Sequence, residues 1–362
     1  MRIVYISHIC ADGANGLCWS VPASVKAQST YDEVYWLNTS DGVMDHWKEV
    51  PAFNNVIKSK RSLLSNLPDD FKNPDLVVFE GFYDCILDVL WGRELNRKGI
   101  PYVIIPRSAL TVAAMNNHAR FKKKIAHKLF YNSFIKNAAA IHYLTSGEAQ
   151  DTIKLFDTPY VIIPNGISIP KLHKTEFSMD GINATFIGRI DIHQKGLDML
   201  LEAMVEKRDL LNNSKFHLNI YGPESSDSIE LSKLINDYQI DDLVRVGEKV
   251  LGKEKERVLL NSDVFILTSR FEGLPMGLIE ALSYGIPCAV TYGTYLGEEI
   301  ESNNAGWVSN VSTEAIAIML EQICNSKSIF REISKNARTL SKKYDWDSIA
   351  MKTHQEYTRV SK

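Results

Sequence analysis

Two stretches in the second half of the chain combine charged residues with a strand, a turn and a helix start. In residues 268–287, TSRFEGLPMGLIEALSYGIP, Glu272 precedes a predicted helix that begins at Pro275. Glu280 lies about one and a half turns inside that helix. A helix N-terminus suits a pyrophosphate, and Gly273 lets the backbone approach a ligand closely. Glu280 could bind a ribose diol and Glu272 sugar hydroxyls, although a helix cap and a solvated carboxylate explain them equally well.

The second stretch is FIGRIDIHQKGLDMLLEA, residues 186–203, where a loop between a strand and a helix carries Arg189 and Lys195. Two cations there could clamp both phosphates of a leaving nucleoside diphosphate. They would then replace a divalent metal. For an arbitrary Arg and Lys, two solvated surface cations are the commoner explanation.

The remaining acidic residues and the histidines do not indicate a metal site. Asp345 and Asp347 form an Asp-x-Asp at the start of the last predicted helix. Elsewhere His, Cys and carboxylates lack the spacing of metal ligands. We therefore expect no metal and no other cofactor.

Together these motifs resemble the retaining glycosyltransferases of family 4, the glycosyl transferases group 1, of the polysaccharide-assembly type. The likeness lies in Glu-x7-Glu within FEGLPMGLIEAL and in GRIDIHQKG upstream. IPNG at 163–166, IPRSAL with the downstream KKK, and the closing YDWDSIAMKTHQEYTRV are also similar to the family. The resemblance spans nearly the whole chain and is diffuse in residues 1–100. It implies a GT-B enzyme that moves a sugar, with retention, from a nucleotide-diphosphate sugar to a hydroxyl of a glycan or lipid-linked oligosaccharide.

The resemblance also implies roles for individual residues. Arg189 and Lys195 would bind the donor diphosphate and Glu272 the transferred sugar, as the catalytic residues. The other implied donor-binding positions are Gly16, Gly222, Val250, Gly273, Leu274, Pro275 and Glu280.

The acceptor would meet the first half of the chain. The resemblance places Gly13 there, and Asn15 stands where the family more often has a small residue. Arg107 stands where the family often has His; since arginine keeps its proton, we expect it to bind or to act electrostatically. Glu80, at the end of a predicted strand, and His118 are further acceptor-side candidates, with helix capping and a structural histidine as their alternatives.

Short apolar runs alternate with helical patterns and predict the elements that position these residues. The predicted strands are residues 3–7, 34–37, 76–79, 102–105, 140–144, 160–163, 184–187, 217–221, 264–268 and 288–291. Continuous apolar runs are typical of parallel strands buried on both faces, so the rhythm predicts doubly wound sheets. It breaks at residues 163–181, which we interpret as a linker.

The predicted fold is therefore α/β, with two Rossmann-like doubly wound domains facing across a cleft. Residues 1–165 would form the acceptor-binding domain and residues 166–344 the nucleotide-sugar-binding domain. The C-terminal helix, residues 345–362, would pack back on the first domain.

The amino-acid composition limits the classes of partner and the cellular location that we expect. The 362 residues carry a net charge of −3, which argues against nucleic acid. Five scattered cysteines argue against a disulfide framework, and we see neither a signal peptide nor a membrane span, so we expect a cytoplasmic protein. The basic helix 118–131, HARFKKKIAHKLFY, would either pack on the first sheet or dock on an anionic membrane at its inner face.

Two other functions remain open at this point. A nucleotide-sugar 2-epimerase would share the two-domain layout, and a non-catalytic nucleotide-sugar-binding subunit would explain the departure at Arg107. A dehydrogenase fits badly, because HICADGANG after the first strand lacks the Gly-x-Gly-x-x-Gly register.

Overall fold

The computed structural model describes residues 1–11, 16–82, 86–107, 109–110, 131–153 and 156–362. These residues form two compact units. The first comprises Met1–Gly166 and Trp346–Lys362, and the second comprises Ile167–Asp345.

A parallel sheet is the centre of the first unit. In the described residues it has seven strands, in the order β3-β2-β1-β4-β5-β6-β7. The strands are β1 (Arg2–Ser7), β2 (Glu33–Asn38), β3 (Phe53–Asn54), β4 (Leu76–Glu80), β5 (Tyr102–Ile105), β6 (Ala140–Tyr143) and β7 (Tyr160–Ile162). The helices are α1 (Leu17–Gln28), α2 (Ile86–Lys98), α3 (Asn132–Lys136), α4 (Ser146–Ile153) and the C-terminal α13 (Trp346–Val360). The two-residue edge strand β3 was not predicted, because it is too short to show a period.

The C-terminal helix α13 belongs to this unit through buried polar contacts. The Tyr357 hydroxyl, fully buried, lies 2.8 Å from Nδ1 of His142. Nε2 of the same ring lies 2.7 Å from the Ile163 carbonyl oxygen, which can only accept. Burial lowers the pKa of His142 to about 4, so the neutral ring donates to Ile163 and accepts from Tyr357.

The second unit is built on another parallel sheet. In the described residues it has six strands, in the order β10-β9-β8-β11-β12-β13. The strands are β8 (Ile182–Ile187), β9 (Phe216–Tyr221), β10 (Val244–Gly247), β11 (Val264–Leu267), β12 (Cys288–Thr291) and β13 (Gly306–Ser309). The helices are α5 (Leu197–Glu206), α6 (Arg208–Asn213), α7 (Ser226–Asp237), α8 (Gly252–Asn261), α9 (Met276–Ser283), α10 (Gly297–Ser302), α11 (Thr313–Asn325) and α12 (Phe330–Ser341).

Differences from the predicted elements have local causes. The strands β10 and β13 lie at the two sheet edges and are only partly buried, so they lack a continuous apolar run. The helices α5 and α6 follow each other directly and are separated at Lys207, whose backbone leaves the helical region. The α/β fold of doubly wound parallel sheets is confirmed.

The predicted linker contains no helix between residues 168 and 181. It is held on the second unit by a buried ion pair, with Lys174 Nζ 3.0 Å from Asp263. Asp263 also accepts hydrogen bonds from the backbone of Ser178 and Asn183. None of the described helices has the length and apolar character that crossing a membrane requires.

Candidate functional site

The loops that follow β8 and β11 lie side by side at the carboxyl edge of the second sheet. The Thr268 hydroxyl lies 3.2 Å from the carbonyl oxygens of both Lys195 and Gly196. The backbone N–H of Arg270 donates to the Gln194 carbonyl at 2.9 Å. The two motifs singled out in the sequence therefore form one surface.

Gly196 makes this close approach possible. Its backbone is left-handed, with φ of +64°, and a Cβ at this position would lie 2.1 Å from the Thr268 carbonyl oxygen. Any side chain would therefore meet both a conformational penalty and a backbone clash. The glycine keeps the Lys195 loop against the β11 loop.

Arg270 also joins the loop after β11 to the loop after β8 and to the start of α5. Its guanidinium donates to both carboxylate oxygens of Asp198, at 2.7 and 2.9 Å, and to the His193 carbonyl at 2.7 Å. Such a bidentate pair fixes direction as well as distance. Sequence reasoning missed this residue, because no local spacing links it to a carboxylate 72 positions away.

Lys195 and Glu272 are in direct contact. Lys195 Nζ lies 2.6 Å from Glu272 Oε1, and the side chains are 14% and 7% exposed. The Ser269 hydroxyl donates to the same oxygen at 2.5 Å. Since an ammonium has three N–H donors, Lys195 can hold this carboxylate and still bind an anion.

Arg189 lies on the same loop and is open to solvent. Its side chain is 62% exposed and 2.9 Å from Asp191, and its second Nη donates to Gln194 at 2.6 Å. Exposed ion pairs of this kind contribute only about 0–1 kcal/mol. The guanidinium of Arg189 could therefore exchange Asp191 for a phosphate at little cost in free energy.

The helix α9 begins one residue later than predicted. Pro275 is its N-cap rather than its first helical residue. Gly277 allows α9 to approach the end of β8, because a Cβ there would lie 2.9 Å from the Ile187 carbonyl. The Leu278 N–H donates to the Pro275 carbonyl oxygen at 3.0 Å, which leaves the N–H groups of Met276 and Gly277, the first two of α9, as those that an anion could meet.

Glu280 lies inside α9, as predicted, and is ion-paired rather than merely solvated. Its Oε2 contacts Nζ of Lys255, from the first turns of α8, and its side chain is 33% exposed. The sequence did not reveal Lys255, because α8 itself was not predicted.

A cavity of about 620 Å³ opens beside these loops, at the ends of β9 and β10. It is lined by Ile190, Gly222, Pro223, Glu224, Ser228, Ile229, Ser232, Val246, Gly247, Glu248 and Lys249. A Cβ on Gly222 would lie 2.5 Å from the Gly188 carbonyl. Val250, also predicted near a nucleobase, is buried at 5% exposure and is not among the residues that line the cavity.

In the first unit, Glu80 and Arg107 bind each other. The guanidinium approaches Glu80 Oε2 at 2.8 and 2.9 Å, with 1% of the Glu80 and 8% of the Arg107 side chain exposed. Arg107 also lies 3.2 Å from Asn165 and 3.3 Å from Ser20. In this arrangement both charged groups are shielded from solvent, and their acceptor-side role stays a prediction.

The other predicted positions fall into two groups. Gly16 is the N-cap of α1, where neither its φ of −57° nor a neighbour within 4 Å requires glycine. Gly13, Asn15 and His118 lie outside the described residues, as does nearly all of the basic segment 118–131. Within the described residues, no three His, Cys, Asp or Glu side chains are grouped to hold a metal ion.

Known proteins resemble the chain in both sequence and fold. Residues 170–340 match the family model described as glycosyl transferases group 1. One human protein, a subunit of phosphatidylinositol N-acetylglucosaminyltransferase, is 26% identical over 55% of this chain and 41% of that protein. The Escherichia coli (strain K12) lipopolysaccharide 1,6-galactosyltransferase is 27% identical over 59% of this chain and 55% of that protein. The chain thus spans less than two thirds of each.

A solved structure extends the likeness to the whole fold. Alr3699/HepE of Anabaena, in complex with UDP, superposes with a TM-score of 0.76 and 14% identity, over 99% of this chain and 100% of that chain. The resemblance read from the sequence is confirmed: residues 170–340 match the glycosyl transferases group 1, in a chain with the GT-B fold.

Proposed function

We propose that the protein is a retaining, metal-independent glycosyltransferase. It would move a sugar from a nucleotide-diphosphate sugar to a hydroxyl of a glycan or lipid-linked oligosaccharide in surface polysaccharide biosynthesis. The observation that carries the proposal is the convergence of Arg189, Lys195 and Glu272 beside the N-terminus of α9. The relatives named for sugar transfer to lipopolysaccharide and to a phosphatidylinositol support the reaction class.

The second unit supplies the charge that such a transfer requires. As the anomeric C–O bond breaks, its electron pair goes to the diphosphate, where negative charge grows. Arg189, Lys195 and the N–H groups of Met276 and Gly277 at the start of α9 would stabilise that charge without a metal. Lys195 would exchange part of its contact with Glu272 for a phosphate oxygen.

The transferred sugar would lie over Glu272. Its carboxylate, held by Lys195 and Ser269, can accept hydrogen bonds from sugar hydroxyls. Our proposal assigns no carboxylate as a covalent nucleophile. The acceptor hydroxyl would attack the face that the diphosphate leaves, pass its proton to a phosphate oxygen, and so retain the anomeric configuration.

The cavity at the ends of β9 and β10 would take the nucleobase. Its volume of about 620 Å³ is ample for a base and part of a ribose, and Gly222 is one of the residues that line it. We propose the first unit as the acceptor-binding side. A lipid-linked acceptor would place the protein at the cytoplasmic face of a membrane, which segment 118–131 would contact.

A donor screen tests the reaction. Purified protein is incubated with UDP-, GDP-, ADP- and dTDP-sugars in excess chelator, and released nucleoside diphosphate is measured over hours. We expect release from one donor and a loss of about 10²–10³-fold in Arg189→Ala and Glu272→Ala. The matched control is Arg208→Ala, because Arg208 is another exposed arginine paired with an aspartate, Asp242.

The outcomes separate the candidate functions. Conversion of a donor to its epimer, without transfer, would identify a 2-epimerase. Tight donor binding with no turnover, even when acceptor glycans are supplied, would identify a non-catalytic binding protein. Absence of both release and binding for every donor would refute the assigned roles of the two loops.

A further inference from the structure

Glu280 has a cationic partner that no sequence motif predicts. The Lys255 ammonium, on α8, contacts Oε2 of Glu280, on α9. Glu280 Oε2 has almost no solvent exposure, whereas the side chain as a whole is 33% exposed. A ligand can therefore reach this carboxylate only through Oε1.

The position of Lys255 is unfavourable for a lysine that merely covers the surface. It lies in the first turns of α8, which begins at Gly252, where the helix dipole repels cations. Its side chain is also only 23% exposed, which restricts its rotamers. The ion pair with Glu280 offsets these costs.

A second carboxylate, that of Glu256, lies in the same region as Glu280, since both act on Tyr284. The Tyr284 hydroxyl donates to Glu256 at 3.1 Å, one residue after Lys255. Burial, the hydrogen bond to Glu256 and the nearby charge of Glu280 together raise the pKa of Tyr284 to about 12. Without Lys255, the charge of Glu280 would repel that of Glu256 and also the anionic diphosphate that we assign to the nearby loops.

We propose that Lys255 is a positioning residue for donor binding, which neutralises Glu280 and presents its Oε1 to the ribose diol. This inference rests on the proposed function, since it assumes that Glu280 meets the donor ribose. Lys255 itself would not touch the ribose. It acts through Glu280, by holding one oxygen and by reducing the repulsion between that carboxylate and the diphosphate.

The position of Lys255 predicts a defect in binding rather than in chemistry. Lys255→Met should raise the donor KM, and the Kd of the nucleoside diphosphate, about tenfold, with kcat nearly unchanged, because ground state and transition state lose the same contact. Lys255→Arg, which keeps the charge, should restore most of the affinity. Lys253→Met is the matched control, because Lys253 is an exposed lysine two positions earlier on the same helix.

A double-mutant cycle with Glu280→Gln distinguishes positioning from a general structural role. The Kd of UDP, GDP, ADP and dTDP is measured by calorimetry for the wild type, both single variants and the double variant. We expect Lys255→Met to have little further effect on the Kd once Glu280 is replaced. The thermal midpoint of each variant, measured in parallel, should stay close to that of the wild type even where the Kd rises about tenfold.

Three results would overturn the proposal. They are a wild-type Kd in Lys255→Met, a Lys255 effect of equal size in the Glu280→Gln background, and a Lys255→Arg variant as weak as Lys255→Met. Failure of the proposed function looks different, because the wild type itself would then bind none of the four nucleotides and release none from any donor.

Discussion

Gly196→Ala should destabilise the second unit through one close contact. An alanine would have to adopt a φ of +64°, and its Cβ would lie 2.1 Å from the Thr268 carbonyl oxygen. The left-handed backbone costs about 1–2 kcal/mol. Relief of the clash requires a shift of roughly 1 Å in a packed region, comparable to overpacking at about 1–3 kcal/mol. We therefore expect a loss of about 3 kcal/mol in the free energy of unfolding.

Gly252→Ala separates the two contributions. Gly252 also has a positive φ, +53°, but no atom lies within 4 Å of its Cβ position. It should therefore cost only the backbone strain, about 1–2 kcal/mol. Urea titrations followed by far-UV circular dichroism give both free energies, provided that the slopes with urea agree. Release of nucleoside diphosphate should also fall in Gly196→Ala, because the shift displaces Lys195.

The reasoning fails if Gly196→Ala costs no more than Gly252→Ala. That outcome would mean that the loops after β8 and β11 do not approach as closely as Gly196 and Thr268 indicate. Equal activity of the two variants would separately refute the link between this contact and Lys195.

Three further predictions concern charged and titrating groups. Arg270→Lys should lower the turnover rate about tenfold, because an ammonium cannot reproduce the bidentate contact that aligns the two loops. Glu80→Gln should cost about 3 kcal/mol, since it leaves Arg107 as an unpaired buried charge, and adding Arg107→Met should recover part of that loss. The pKa of His142 is lowered to about 4 in the folded protein, whereas the unfolded chain binds this proton near pH 6.5. The free energy of unfolding of the first unit should therefore fall by about 1.4 kcal/mol as the pH falls from 8 to 5.5.

Each of these has its own control. Arg208→Lys is the match for Arg270→Lys, and an equal loss of turnover in both would contradict the clamp. Additive costs in the Glu80 and Arg107 double variant, measured by urea unfolding, would contradict a buried pair. His142→Gln should flatten the pH dependence of unfolding in that window, and an unchanged slope would contradict a neutral buried ring.

Most of the strands could be predicted because they are buried on both faces. Runs such as 76–79 and 102–105 are continuous and apolar, so each predicts a strand before its pairing partner is known. The edge strands β10 and β13 and the amphipathic helix α8 were missed, since partial burial leaves no continuous run. With α8 the sequence also hid Lys255.

The candidate site divides in the same way. Glu272 and Glu280 could be found from the sequence, because a turn, a helix start and two carboxylates lie within one short stretch. The contacts that define the site are long-range, as between Lys195 and Glu272, which are 77 residues apart. No local sequence pattern predicts which cation pairs with which carboxylate.

The sequence by itself determined the α/β rhythm and the two strand–loop–helix motifs, because these depend on local periodicity and spacing, and the two motifs carry the resemblance to the glycosyl transferases group 1. Only the tertiary structure decided that Lys195 holds Glu272, that Lys255 holds Glu280, and that Arg107 turns inward onto Glu80. A charge pairs with whatever the sheet order brings beside it, and a parallel sheet places neighbours in space that are far apart along the chain.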